Sequence, residues 1–193
     1  MKIAKALILT LVPAALAAQA PATPPINPIT ATYRPRMMAL HRNLAQAFDS
    51  IPEAKFSYKP TPAQQTVGYI AQHLANDNYI FCNNFGDMKG TRPARDTETP
   101  DSVKATWPKA DLIASLKTSF AFCEQAFAQL DDAKLADQIS ITFGANTRTG
   151  TRASMVLGHL MDMADHYSQI ANYMRLNNML PPTALPRPRP AGN

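Results

Sequence analysis

Apolar residues recur every three or four positions in four stretches of this chain, and each stretch draws a stripe down one helix face. The most informative runs from Thr151 to Pro182, where Ala153, Leu157, Leu160, Ala164, Tyr167, Ala171 and Met174 make the stripe and Pro181-Pro182 supply a stop. Beside it lies a second line at the same spacing, made of His159, Asp162, His166, Gln169 and Tyr173. The first predicted helix begins near Arg34, with Pro35 in its first turn, where a missing N–H costs nothing. Tyr33, Met37, Leu40, Leu44, Phe48 and Ile51 form its stripe, and Pro52 ends it. His41 sits at the edge of that stripe and is expected to be a half-exposed packing residue.

The second predicted helix spans Thr66, a good N-cap residue, to Asn84. Val67, Ile70, Leu74, Asp77 or Asn78, and Phe81 hold its buried line. His73 and Cys82 lie on opposite flanks, so His73 is expected to face the last helix and Cys82 the third. That third helix runs from Lys109 to Leu130 on Leu112, Leu116, Phe120, Cys123, Phe127 and Leu130. Residues 131–150 read as loop with a turn or a short extended piece.

These elements predict an all-α fold, a four-helix bundle with a long crossover between helices 2 and 3. The connection over 85–108 is too long for a tight hairpin and suits two neighbouring parallel helices. Four segments are expected. Residues 1–20 read as a signal peptide and 21–30 as a Pro-rich leader. Residues 31–182 are the bundle and 183–193 a Pro-rich tail without fold.

Charge and cysteine usage narrow the setting. Lys2 and Lys5 precede the apolar run Ala6 to Ala18, which is followed by A-x-A cleavage patterns. The run is too short for a membrane span, so the chain is expected to be exported, to the periplasm, with no stable membrane insertion after cleavage. An uncleaved N-terminal anchor is the other reading of the same flanks. The formal charge of +5 falls by the two lysines of that segment, and the remaining cations are scattered. No basic face interleaved with aromatics exists, which speaks against nucleic acid. The two cysteines, Cys82 and Cys123, are a disulfide candidate in an oxidising compartment, with two buried thiols as the alternative.

The second line of the last helix is the candidate chemistry. Asp162 and His166 are spaced i, i+4 and reach one point, whereas His159 and His166 stand about 10 Å apart along the axis. The compact set for a divalent metal is therefore Asp162 and His166, completed by His73 from the second helix. Such an ion leaves a position for water or substrate. Gln169 and Tyr173, with His159, are candidates to support the ligands from behind. The spacing alone also fits an ordinary ion pair on a helix.

Three pieces resemble the DinB-like (DinB/YfiT) family. They are FSYKPTPAQQTVGYIAQHLA over 56–75, SLKTSFAFCEQAF over 115–127 and HYSQIANYMRLNNMLPP over 166–182. The resemblance implies a four-helix bundle binding a metal through one His on helix 2 and an H-x-x-x-H pair on the last helix. Carried over, His73 and His166 match, and the first His of the pair falls on Asp162. The site then survives as two histidines and a carboxylate, holding zinc or nickel, or is lost with the substitution. A later glycine of the family falls on Asn178, which also tolerates a left-handed cap. Two functions follow: a metal-dependent transferase or hydrolase acting on an unknown small molecule, or a non-enzymatic small-molecule or partner-binding scaffold. The resemblance also allows a homodimer.

Overall fold

A computed structural model describes residues 26–143 and 146–186. The expected signal peptide over 1–20, residues 21–25 of the leader and the tail beyond residue 186 lie outside the described residues. The main helices are α1 (Pro28–Ser50), α2 (Val67–Cys82), α5 (Lys109–Phe127) and α6 (Arg152–Leu176). The crossover folds into two short helices, α3 (Ala94–Glu98) and α4 (Asp101–Lys104). Strands β1 (Gln138–Phe143) and β2 (Asn146–Thr151) pair antiparallel, with Gln138 opposite Thr151 and Ile141 opposite Arg148. No described helix is long and apolar enough to cross a membrane.

Helix directions follow from which residues meet. Asn78 bonds Ser119 and Cys82 is joined to Cys123, so position rises together on α2 and α5 and the two are parallel. His73 meets His166 while Asn78 meets His159, which makes α6 antiparallel to α2. Tyr33 meets Phe127 and Asp49 pairs with Lys117, which makes α1 antiparallel to α5. The bundle is thus up-down-down-up, with the 85–108 connection carrying the chain back along its length.

The first helix starts earlier than the pattern predicts. Residues 28–30, expected in the leader, form its first turn, and Pro35 lies inside the helix. The cause is remote in sequence. Asp132 accepts hydrogen bonds from the backbone N–H of Ile29 at 3.0 Å and of Thr30 at 2.8 Å, and from the Thr30 hydroxyl at 2.8 Å. A carboxylate thus satisfies N–H groups that have no partner within the helix.

Other boundaries and faces also differ from expectation. The third helix ends at Phe127 rather than Leu130. The last stops at Leu176, before the Pro-Pro pair, because Asn178 turns to φ 58 and the Met179 N–H bonds the Met174 carbonyl at 2.9 Å. Pro182–Ala184 forms a single turn, and Tyr167 donates to Thr183 at 2.8 Å, so residues 183–186 are tied to the bundle. The segment 131–150 holds the hairpin, whose Ile141 is buried. On α6 the predicted stripe holds at Ala171 and Met174, but toward the N-terminus the buried face is rotated away from it. Leu157 is 55% exposed, whereas Met155, His159, Met163, His166, Ile170 and Tyr173 point inward. Gly158 brings this face close to α2, since a Cβ there would lie 3.0 Å from the Phe81 ring.

The core carries one continuous polar chain. Tyr33 donates to His159 Nδ1 at 2.9 Å, leaving His159 Nε2 to donate to Asn78 Oδ1 at 2.9 Å. Asn78 donates to Ser119 at 2.8 Å, and Ser119 to the Leu116 carbonyl at 2.7 Å. All four main helices contribute, and each of these bonds uses a complementary donor and acceptor. His41 lies nearby but outside the chain. It is 2% exposed rather than half-exposed, stacks on Phe120 at 4.1 Å, and has no partner for either ring nitrogen.

Candidate metal centre

Two helix turns build the centre. His73 and Asp77 stand i, i+4 on α2, and Asp162 and His166 stand i, i+4 on α6. Because the helices are antiparallel, H-x-x-x-D on one faces D-x-x-x-H on the other. One ligand atom from each of the four residues lies within 4.8 Å of those of the other three. His73 Nε2 is 3.0 Å from Asp77 Oδ2, and His166 Nε2 is 3.5 Å from Asp162 Oδ1. The two imidazole rings are edge to face.

Three of the four, His73, Asp162 and His166, are the predicted set; the fourth, Asp77, is in the sequence pattern only an alternative to Asn78 on the buried line of α2. The signal was present. Asp77 repeats on α2 the four-residue spacing that singled out Asp162 on α6. It was hidden by its neighbour, because Asn78 is the residue that fills the core position.

A relay behind His166 sets its tautomer. Gln169 Oε1 lies 3.1 Å from His166 Nδ1 and accepts a hydrogen bond from its N–H, which leaves the Nε2 lone pair toward the cluster. Gln169 Nε2 then donates to the Tyr173 hydroxyl at 3.1 Å, and Tyr173 donates to the Gln65 carbonyl at 3.1 Å. His159, grouped with these two by spacing, instead belongs to the core chain with Tyr33 and Asn78.

Electrostatics reflect the crowding. Burial, and then the facing Asp162, push the Asp77 carboxyl up to about 7. Burial alone would lower the His166 pKa, but Asp162 and then Gln169 outweigh it, so the pKa is raised. Burial and the facing His166 lower that of His73. Asp162 Oδ2 is buried and has no hydrogen-bond partner. Two imidazoles, two carboxylates and one unpartnered carboxylate oxygen converging on a point form a donor set suited to a borderline divalent cation. A cation there would replace the repulsion between Asp77 and Asp162 with attraction to both.

The DinB superfamily model matches residues 36–170, most of the chain, covering α2 and α5 whole and most of α1 and α6. The chain belongs to the DinB superfamily. Solved DinB-like proteins share the fold. One from Bacillus cereus ATCC 10987 is 13% identical with TM-score 0.60, over 79% of this chain and 95% of that one. One from Bacillus subtilis is 17% identical with TM-score 0.58, over 81% and 96%. The mycothiol-dependent maleylpyruvate isomerase is 14% identical with TM-score 0.57, over 73% of this chain. This DinB chain spans only 60% of that enzyme's length. No curated protein sequence matches it. The Cys82–Cys123 disulfide is formed and joins α2 to α5, whose Cα atoms at these positions are 5.3 Å apart.

Proposed function

We propose that this DinB protein binds one divalent transition ion, zinc or nickel, through His73, Asp162 and His166, with Asp77 as a fourth donor. We further propose that it is an exported metal-dependent transferase or hydrolase. The observation that carries the reading is the convergence of the four donors within 4.8 Å, one of them ending in a buried oxygen without a partner. Export is supported by the disulfide, which belongs to oxidising compartments.

A bound ion supplies a Lewis acid that polarises a nucleophile or an electrophile. The chain's own residues do the rest. Gln169 and Tyr173 fix the His166 ring, so its lone pair stays on the cluster. The Asp77 carboxyl, raised by burial and by the facing Asp162, would ionise on taking up the cation as the fourth donor. Among the similar structures one is, by its name, a mycothiol-dependent isomerase, which makes thiol transfer a reaction to assay beside hydrolysis.

The decisive measurement is elemental analysis of protein purified without chelator or His-tag, beside a His73→Ala variant. About one equivalent of zinc or nickel in wild type, lost in the variant, is the expected result. No metal in either after reconstitution would refute the reading. It would favour a scaffold in which the His73–Asp77 and Asp162–His166 pairs, at 3.0 and 3.5 Å, are the whole of the network.

A further inference from the structure

Beside the metal centre lies a trough that the proposed chemistry does not use. A cavity of about 380 Å³ opens next to His73 and Asp77. It adjoins one of about 790 Å³, and Ile80, Arg92 and Thr97 line both. The trough thus runs from the candidate ligands along the C-terminal half of α2 to the hairpin, where Ser140 and Thr142 form its far wall. The larger cavity alone stands near the upper end of the roughly 300–1,000 Å³ that ligand sites occupy.

The fixed charges along this trough cancel. Arg92 pairs with Asp96 at 3.7 Å, and the buried Lys104 with Asp96 at 3.3 Å and Asp101 at 3.0 Å. Apart from Asp77, which belongs to the metal centre, two cations meet two carboxylates, and neither sign is in excess along the trough to draw an ionic ligand. Neutral hydrogen-bonding capacity remains. Asn83 uses its amide oxygen to hold the Gly90 N–H, which leaves its NH₂ group over. Asn84 uses its NH₂ on the Ile80 carbonyl, which leaves its amide oxygen over. The hydroxyls of Thr91 and Ser140 also line the wall, and neither is engaged by another described side chain.

We propose that the trough binds a neutral saccharide chain and presents one end of it to the metal centre. A saccharide offers closely spaced hydroxyl donors and acceptors without charge, which is what unengaged amides and hydroxyls complement. An extended peptide fits less well. Ser140 and Thr142 are two apart on β1, so the hairpin walls the trough with a face and not with the hydrogen-bonding edge that a peptide strand requires. The placement of the reacting end rests on the metal reading, whereas binding in the trough does not.

The test is an NMR titration of the isotope-labelled full chain with maltotetraose, cellotetraose and chitotetraose, and with a blocked tetra-alanine peptide. Metal content is measured on the same samples. At least one saccharide is expected to shift the amides of Asn83, Asn84, Thr91 and Ser140. Affinity should fall about tenfold, the worth of one or two hydrogen bonds, in both Ser140→Leu and Thr91→Val. No shift with any saccharide, shifts with the peptide alone, or unchanged affinity in both trough variants would overturn the proposal. Saccharide binding by a wild-type protein without metal would support the trough and refute the metal centre.

Discussion

His73 and His166 meet edge to face across the seam between α2 and α6, with ring centroids 4.9 Å apart. Each has a carboxylate one helical turn away on its own helix, and the opposite helix directions bring all four groups to one place. A mutation on either helix should therefore be felt by the one ion proposed there.

Removing the relay should weaken that ion's hold without unfolding the chain. Gln169→Leu frees His166 to turn and to change tautomer. Metal affinity is expected to fall about 10–100-fold, the usual effect of losing a group that orients a ligand. Competition with a zinc chelator measures this, and an unchanged affinity would show that the Gln169–Tyr173 relay is only packing.

Acid should destabilise the protein through its core histidines. Burial lowers the His41 pKa from 6.5 to about 3. Burial, and then His41, lower that of His159. The unfolded chain then takes up protons that the native one refuses. Stability is full above the unfolded value and falls as pH drops toward the native value. By pH 4.5 the His41 share amounts to about 2–3 kcal/mol. Urea unfolding at pH 7 and 4.5 should show a pH effect smaller by that amount in His41→Phe. An equal pH effect in the variant would argue against a neutral buried imidazole.

The disulfide closes a loop with a sequence separation of 41 residues. Chain entropy puts its loss at about 4 kcal/mol. Titration of the denatured, unreduced protein should find no free thiol. Denaturant midpoints should drop on reduction and equally in a Cys82→Ser/Cys123→Ser double variant. A midpoint indifferent to reductant would contradict this.

Asn78 is the middle of the core polar chain, so Asn78→Leu leaves His159 Nε2 without its acceptor and Ser119 without its donor. The expected cost is about 2–5 kcal/mol for these buried groups, read from chemical unfolding. Tyr33→Phe, which removes only one donor, should cost about 1–3 kcal/mol.

Much of this architecture is legible from periodicity. The four main helices, the Thr66 cap and the flanks assigned to His73 and Cys82 follow from apolar spacing and local capping rules, and the structure places them accordingly. The departures share a cause. The early start of α1 depends on Asp132, about a hundred positions away, and no local signal reveals it. The N-terminal half of the α6 face departs from the pattern because Leu and Ala outrank His as core residues on any hydrophobic scale. Here His159 is buried by partners that only the fold supplies. The sequence suggests only a short extended piece in place of the hairpin because β2, Asn-Thr-Arg-Thr-Gly-Thr, has no apolar alternation, and Ile141 of β1, with Ile139 beside it, anchors the hairpin in the core. Of the centre, three residues were legible from spacing joined to family resemblance. Asp77 carries the same spacing from His73, but the opposite directions of α2 and α6 are what bring it to the other three.

The chain from Tyr33 through His159 and Asn78 to Ser119 also governs how the helices can be aligned. Apolar side chains trade neighbours at modest cost when a helix slides along another. Directional bonds do not. A slip of one turn, about 5.4 Å, on any of the four helices breaks at least one link and leaves a donor or acceptor stranded in a dry interior. Intermediate offsets are penalised as heavily as distant ones. The bundle therefore has a single keyed alignment, and the spacing between His73 on α2 and His166 on α6 is held from one to two turns away on the same two helices.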